Sequence, residues 1–330
     1  MVGEDGGVTA LWDWIDAYLE HMQARKLAAN SLRAYRRDLE SVAIDLAVVL
    51  DREPDEITVD EVTTGPLRSA FARFAGPRSA ASVTRAWSTW NGFFGFLVIE
   101  GAAVGNPMQV VPKPRTPMRA PKPLQGEDTP EQLLRRVAEG ARAARNPWPE
   151  RDLAVLATLL CTGVRSAELL GLTVASLVGR PGERRIQVSG KGGNRRSVPI
   201  ERPLDEIINA YLDSRRLRFG LRVPGTAPLF VDHRDEPLRR GGLQYLVRTS
   251  LRAAGVGDRV QRGALVHAFR HTFATRLAED GASVIEIAKL LGHASITASQ
   301  NYIDATAREQ RMAAGSNRTY AALAEVADSP

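Results

Sequence analysis

A short run of basic and imidazole side chains, VHAFRH, holds the most suggestive chemistry in the sequence. His267 and His271 are four residues apart, the spacing at which two imidazoles on one helical face can share a metal ion, and His293 follows in an LGH triplet. A zinc hydrolase of the H-E-x-x-H type needs a glutamate after its first histidine, but residue 268 is alanine. Arg270 also places a fixed positive charge beside His267. The run therefore favours an anion over a cation.

Three other stretches carry groups that suit an anion. Arg165 follows the helix-stopping Gly163, and Glu168 can hold its guanidinium by a charge-assisted hydrogen bond. Glycines on both sides of Lys191 let the SGKGGN turn approach a ligand. Tyr302 lies nine residues after the LGH histidine, about one short helix away. Taken singly, these groups are typical of a surface ion pair, a solvated turn lysine and a partly buried tyrosine, so only the set indicates phosphate chemistry.

The apolar spacing predicts helices throughout residues 8–101. One helix is expected over 8–22, a second after an N-cap at Asn30 or Ser31, and a third, rich in aromatic residues, over 82–99. The following stretch is rich in proline and basic residues, which predicts an extended linker.

A second domain is expected to begin at the TPEQ sequence, with Thr129 capping a helix and Pro130 at its first position. RRIQVSG and RRSVPI alternate around KGGN, which predicts a small β-hairpin with Lys191 at its tip. Further helices are expected over 204–219 and 242–254, then over HAFRHTFATRLAEDG and over SVIEIAKLLG, the last with a capping box from Ser283 to Glu286. The predicted boundaries are 1–105 for the first domain, 106–128 for the linker and 129–330 for the second domain.

Length and composition agree with two globular domains. The chain has 330 residues, of which 44% are hydrophobic and 25% charged, and a net charge of +6 that favours a polyanionic partner. The single cysteine, Cys161, lies in an apolar run, so we expect a buried side chain that is neither nucleophile nor metal ligand. The N-terminal residues lack a basic segment followed by an apolar one, and no apolar run is long enough to span a bilayer, which predicts a cytoplasmic protein.

Four segments, LLCTGVRSAELLGL, VSGKGGNRRSVPI, HAFRHTFATRLAEDG and LGHASITASQNY, resemble in their order and separation the catalytic blocks of the tyrosine recombinase (phage integrase) family. NSLRAYRRDL and the aromatic helix ending in LVIEG resemble the core-binding domain of Xer-type members. The resemblance covers nearly the whole chain. It implies a mainly α fold with a small β-hairpin or sheet: a helical, SAM-like core-binding domain over 1–105 and a mixed α/β catalytic domain over 129–330.

The resemblance also implies a role for each candidate side chain. Tyr302 would attack a scissile DNA phosphate and form a 3'-phosphotyrosine. Arg165 and Arg270 would clamp the nonbridging oxygens, where charge grows in the transition state. His267 and His293 would hydrogen-bond the phosphate and assist proton movement.

Lys191 would protonate the departing 5'-hydroxyl oxygen, while Glu168 and His271 would support the catalytic set rather than belong to it. Because arginines and histidines would take the place of metal ions, and the phosphotyrosyl bond conserves energy for rejoining, no metal, ATP or other cofactor is implied. Tyr320 is a competing nucleophile in principle, but its surroundings suit a short terminal helix.

The implied partners are double-stranded DNA recombination sites and further protomers. The resemblance predicts a tetramer on DNA, made of one recombinase or of two, in which the terminal helix around Tyr320 docks on a neighbouring protomer; a tail packed on its own protomer is the alternative. No membrane partner is expected. Candidate DNA contacts, to phosphates or to base edges, are Arg33, Arg36, Arg37, Arg85, Arg239 and Arg240.

Three other functions compete with recombination. A type IB topoisomerase would share the nucleophile and the arginines. A non-catalytic DNA-binding protein on the same fold would lack one or more of the active-site residues. A metallohydrolase would be inhibited by chelators. The biological task, integration, excision or resolution of chromosome dimers, stays open at this stage.

Overall fold

A computed structural model of the chain describes residues 10–114, 121–190, 195–220, 222–260, 265–292 and 297–306. The chain falls into two compact units, Met1–Met118 and Arg119–Pro330. The division lies inside the predicted linker of residues 106–128. Met108 and Val111 are buried in the core of the first unit, and Leu124 is buried in the core of the second. The described parts of the linker therefore pack against the units.

The described part of the first unit is built from four α-helices around an aromatic core. Their apolar residues recur every three to four positions, so each helix turns one apolar face inward. Ile15, Leu39, Phe74, Trp90 and Phe93 meet in this core, and each is at most 2% exposed. The helices are α1 (Leu11–Ala24), α2 (Ala29–Leu50), α3 (Thr64–Ala75) and α4 (Ala80–Ile99), with short 3-10 helices at Pro54–Glu56, Val59–Glu61 and Pro107–Gln109.

Two parts of the N-terminal prediction need correction. The expected cap at Asn30 or Ser31 is wrong: α2 begins at Ala29, and Asn30 lies in its first turn, where its side chain accepts a hydrogen bond from Arg33. Helix α3 lies within the stretch predicted to be helical, but no individual helix was predicted there, and a Gly65-Pro66 pair stands near its start. Proline is tolerated in a first helical turn, since its missing N–H has no intrahelical partner there.

The second unit combines eight helices with one small sheet among its described residues. Its core gathers side chains from most of these elements, including Leu133, Leu156, Tyr211 and Phe269. The helices are α5 (Thr129–Ala138), α6 (Pro149–Thr162), α7 (Ser166–Leu170), α8 (Arg202–Phe219), α9 (Arg240–Ala253), α10 (Leu265–Glu279), α11 (Val284–Leu291) and α12 (Thr297–Thr306). The strands are β1 (Leu177–Val178), β2 (Arg185–Ser189) and β3 (Arg195–Pro199). The mainly α fold with a small sheet is confirmed.

The sheet is antiparallel in the order β1-β2-β3. The predicted hairpin is confirmed in its strands, where Ile186 pairs with Val198 and Ser189 pairs with Arg195. Ile186, Val188 and Val198 are buried, as the alternation of apolar residues requires. The predicted tip, with Lys191, lies outside the described residues.

Helix boundaries in the second unit follow the prediction with one error in capping. Thr129 does not cap α5: it is the first residue of the helix, Asp128 precedes it as the N-cap, and the Thr129 hydroxyl donates to the Gln125 carbonyl at 2.5 Å. The capping box of α11 is confirmed, because the Ser283 and Glu286 side chains each accept from the other's backbone N–H.

Cys161 corrects another expectation, since it occupies an exposed position on α6 rather than a buried one. Desolvation nevertheless raises the pKa of its thiol. None of the helices in the described part of the chain is long and apolar enough to cross a membrane.

Candidate active site

Arg270 lies at the centre of the candidate site and joins the ends of two helices. It is only 2% exposed on α10. One Nη donates to the Gly163 carbonyl and the other to the Leu291 carbonyl, each at 2.7 Å. These carbonyls lie at the C-terminal ends of α6 and α11, where backbone acceptors have no intrahelical partner and the helix dipole is negative. Arg270 is therefore held in one orientation by the backbone itself.

Gly163 makes this geometry possible. It closes α6 with a φ of +59°, in the left-handed region that favours glycine. A Cβ at this position would overlap the Phe273 ring and lie 2.9 Å from Cδ2 of Leu291. Glycine thus lets α6 approach α10 and α11, and it turns the chain toward Arg165 two residues later.

Arg165 is the N-cap of α7 and is anchored by Glu168. The Arg165 backbone N–H donates to Oε2 of Glu168 at 2.7 Å, and its Nη1 donates to Oε1 at 2.9 Å. The Glu168 side chain is 5% exposed, whereas that of Arg165 is 43% exposed. The pair predicted from the sequence is present, with its carboxylate inside and its guanidinium partly open to solvent.

Arg196 is a member of this network that the sequence analysis missed. Its two Nη groups donate to Oε1 and Oε2 of Glu168 at 2.9 and 2.8 Å, and its Nε donates to the Leu290 carbonyl at 2.8 Å. Strand β3 could have indicated it, because Arg196 and the buried Val198 are two residues apart and share a face of the sheet. One guanidinium thus ties the hairpin to the Arg165 anchor and to the end of α11.

The Glu168 carboxylate is held in its ionised form. Burial alone would raise its pKa, but the hydrogen bonds from Arg196 and from the Arg165 backbone, together with the Arg196 charge, outweigh burial and lower the pKa to about 2. A carboxylate with four donated hydrogen bonds and so low a pKa is an anchor rather than a proton acceptor near neutral pH.

The field in the site is positive. Burial, and after it the charge of Arg165, lowers the pKa of Arg270 to about 10, so the guanidinium stays protonated at neutral pH. The pKa of His267 is lowered by burial and then by the charges of Arg270 and Arg165. An anion between these groups would relieve the repulsion, whereas a cation would increase it. Within the described ranges, no three His, Cys, Asp or Glu side chains are grouped so as to hold a metal ion.

Tyr302 approaches the same site from α12. It is 4% exposed, and its hydroxyl lies 2.9 Å from Nδ1 of His271. Burial raises the phenolic pKa, while the nearby charges of Arg270 and Arg165 act to lower it. His271 also meets His267 edge to face, with ring centroids 4.5 Å apart. His271, expected to act only as support, thus contacts the candidate nucleophile directly.

The structure brings together Arg165, Glu168, His267, Arg270, His271 and Tyr302. Two members of the predicted set, Lys191 and His293, lie outside the described residues, as do Tyr320 and the terminal helix expected around it. Gly292, just before His293, ends α11 with a φ of +63°.

The candidate DNA-contacting arginines differ in whether their side chains already bind other residues of the protein. Arg85 donates to both oxygens of Asp38, a buried carboxylate, at 2.7 and 2.8 Å. Arg36 pairs with Asp16 at 2.8 Å. Arg33 contacts the Asn30 side chain. The other three, Arg37, Arg239 and Arg240, are exposed, and Arg239 and Arg240 lie at the start of α9.

Both units of the chain match known protein-family models. The family model described as phage integrase family matches residues 127–309, and the model described as phage integrase, N-terminal SAM-like domain matches residues 15–101. Tyrosine recombinase XerD of Mycobacterium tuberculosis is 33% identical over 299 residues, covering 87% of this chain and 91% of its own length. Tyrosine recombinase XerC of Erythrobacter litoralis is 34% identical over 293 residues, covering 87% and 86%.

Solved structures show the same fold. The XerH site-specific recombinase, in a post-cleavage complex with a palindromic difH substrate, superposes with a TM-score of 0.71 at 18% identity, covering 92% of this chain and 83% of its own. A lambda integrase dimer bound to a COC' core site superposes with a TM-score of 0.66 at 20% identity, covering 91% and 79%. From its matches to both domain models and to the Xer recombinases, the chain belongs to the phage integrase family of tyrosine recombinases.

Proposed function

We propose that the protein is a site-specific DNA recombinase that cleaves and rejoins duplex DNA through a 3'-phosphotyrosyl intermediate. One observation carries the proposal: Tyr302, from α12, lies in the field of Arg165 and Arg270, which come from two other segments of the chain. A buried phenol near two anchored guanidinium groups suits attack on a phosphodiester, because these cations would stabilise the negative charge that develops in the transition state.

Arg165 and Arg270 would bind the nonbridging oxygens. Arg270 uses two N–H groups on helix carbonyls, and its other N–H groups make no hydrogen bond to the described part of the chain. Arg165 keeps a partly exposed guanidinium on a buried anchor. Such groups need no reorganisation during the reaction, and the loss of one oriented donor costs about 3 kcal/mol of transition-state stabilisation.

His267 would donate a hydrogen bond to the phosphate beside the arginines. In the roles carried over from the family, His293 would act with it and Lys191 would protonate the departing 5' oxygen. Rejoining is the reverse reaction, in which a 5'-hydroxyl attacks the phosphotyrosyl bond. The bond energy is conserved in that intermediate, so no cofactor is required.

The N-terminal unit favours recombination over topoisomerase activity. Residues 15–101 match the phage integrase SAM-like domain, the part that the resemblance assigns to DNA binding. We propose that this unit and the catalytic unit bind duplex recombination sites in the cytoplasm. The active assembly would be a tetramer of one or two recombinases, with the segment around Tyr320 docked on a neighbouring protomer and residues 106–128 joining the two domains.

A covalent-trapping experiment tests this function. The protein is incubated, in the presence of a chelator, with a pool of nicked duplexes that carry randomised half-sites, and covalent adducts are isolated under denaturing conditions and sequenced. We expect an adduct on a restricted set of sequences from the wild type and from Tyr320→Phe, and none from Tyr302→Phe. An adduct that persists in Tyr302→Phe, or that disappears with chelation, would contradict the proposal.

A further inference from the structure

The contact between His271 and Tyr302 is the strongest feature of the site without a role in the reaction described so far. Nδ1 of His271 and the phenolic oxygen are 2.9 Å apart, and the two ring centroids are 5.6 Å apart. His271 is one helical turn after His267 on α10, and the two imidazole rings pack edge to face. The His271 imidazole therefore contacts both His267 and the candidate nucleophile.

Attack by Tyr302 requires that the phenol lose its proton. Burial raises the pKa of this phenol, so it is protonated at neutral pH and its O–H needs an acceptor. Nδ1 of His271, in the tautomer that carries its hydrogen on Nε2, would be that acceptor. A phenol that keeps its proton is a weak nucleophile, so a base in contact with it lowers the barrier to attack.

The other described basic groups of the site are poorly suited to this step. Glu168 accepts hydrogen bonds from Arg165 and Arg196, and its low pKa makes it a weak base. His267 has its pKa lowered by burial and by two arginines, and its position suits hydrogen bonding to the phosphate. Among the described residues, His271 is a basic side chain within hydrogen-bond distance of the phenolic oxygen.

We propose that His271 is the general base of cleavage and the general acid of rejoining, an inference that rests on the proposed recombinase function. During cleavage the O–H bond of Tyr302 breaks and an N–H bond forms at Nδ1 of His271. The phenolic oxygen bonds to phosphorus while the bond from phosphorus to the 5' oxygen breaks. A separate acid, assigned to Lys191, protonates that 5' oxygen. In rejoining, the imidazolium returns its proton to the Tyr302 oxygen.

The test uses the full-length protein and DNA with a bridging sulfur in place of the 5' oxygen at the scissile phosphate. A thiolate leaves without protonation, so the cleavage rate reports activation of the nucleophile alone. His271→Asn keeps an amide oxygen near the position of Nδ1 but cannot take a proton. We expect its cleavage to be slower by about 100-fold or more, the usual contribution of a general base. His233→Asn, at an exposed histidine of the same unit, is the matched control and should cleave at the wild-type rate.

A second arm separates proton transfer from packing. A fluorotyrosine placed at residue 302 has a more acidic phenol, so its rate of attack depends less on a general base. The defect of His271→Asn should therefore shrink by about tenfold or more with fluorotyrosine. His271→Ala should regain activity when imidazole is added, and this variant keeps the test open if the asparagine variant folds poorly.

The outcomes also separate this inference from the proposed function. Wild-type cleavage in His271→Asn, or a defect that neither phenol acidity nor imidazole relieves, would overturn the role of His271 while leaving the recombinase function intact. If the wild type itself forms no adduct at Tyr302, the proposed function fails first.

Discussion

Replacing Glu168 by glutamine removes the anion that holds two arginines of the site. The structure gives the size of the effect. The pKa of Glu168 falls from an ordinary 4.5 to about 2 in the folded protein, and a change of this size corresponds to about 3 kcal/mol. We therefore expect Glu168→Gln to lower the free energy of unfolding of the catalytic unit by about 3 kcal/mol at pH 7.

The same pKa sets the pH dependence. Because the folded pKa is depressed, the stabilisation is fully present above the unfolded pKa of about 4.5 and is lost as the pH falls through the folded pKa of about 2. The difference between wild type and Glu168→Gln should be constant from pH 7 to about 5. It should shrink below pH 4.5 and vanish near pH 2.

Hydrogen exchange of the α6 amides in increasing urea measures this stability for the catalytic unit separately from the N-terminal unit. Glu139→Gln is the matched control, because Glu139 pairs with Arg136 at the same three-residue spacing but with both side chains more than half exposed. We expect a change within about 0.5 kcal/mol for that variant. The role of Glu168 as a buried anchor for the two arginines is refuted by either of two results. One is a loss of stability in Glu168→Gln as small as that in Glu139→Gln, and the other is a loss of the same size at pH 7 and pH 3.

Three more predictions follow from particular contacts. Gly163→Ala should lower the stability of the catalytic unit by at least about 2 kcal/mol, from the left-handed φ and the overlap with its neighbours, as urea unfolding would measure. Arg196→Lys should slow adduct formation by about tenfold or more, because a lysine cannot bind both carboxylate oxygens of Glu168 and the Leu290 carbonyl. The same variant should change DNA affinity by less than about threefold. Equal losses of adduct formation rate and DNA affinity would contradict a positioning role. Arg85→Ala should destabilise the N-terminal unit by about 3 kcal/mol or more, because it leaves the buried Asp38 carboxylate unpaired. Arg37→Ala should leave stability unchanged. If Arg37 contacts a DNA phosphate, Arg37→Ala should also reduce the slope of log DNA affinity against log salt concentration by about 1.

Much of the fold could be predicted from the sequence, because its helices carry regular apolar spacing and its hairpin alternates. The errors came from local signals that fit more than one structure. Asn30 and Thr129 look like caps, yet both lie within a first helical turn, where their side chains have other partners. Helix α3 was not predicted as an individual helix, although it lies within the stretch predicted to be helical. Cys161 lies in an apolar run, but it occupies the exposed face of α6.

The candidate site was predictable as a set of residue types but less so as a set of contacts. The sequence predicted the pairing of Arg165 with Glu168, three residues apart in the chain. The sequence did not predict the contact of Arg196 with Glu168, 28 residues away, or the contact of His271 with a tyrosine 31 residues later. Such partners depend on how α7, α10, α12 and the hairpin pack, and no local pattern encodes that packing.

Mass spectrometry of the trapped protein–DNA adduct tests the central claim most directly. The adduct is digested with protease and nuclease, and the peptide that carries the residual nucleotide is sequenced. We predict that, in the presence of chelator, the nucleotide is attached to Tyr302 through a 3'-phosphotyrosyl bond. No other peptide should carry a nucleotide. A nucleotide on Tyr320 or on any other residue, or its absence from a protein that still cleaves DNA, would contradict the account.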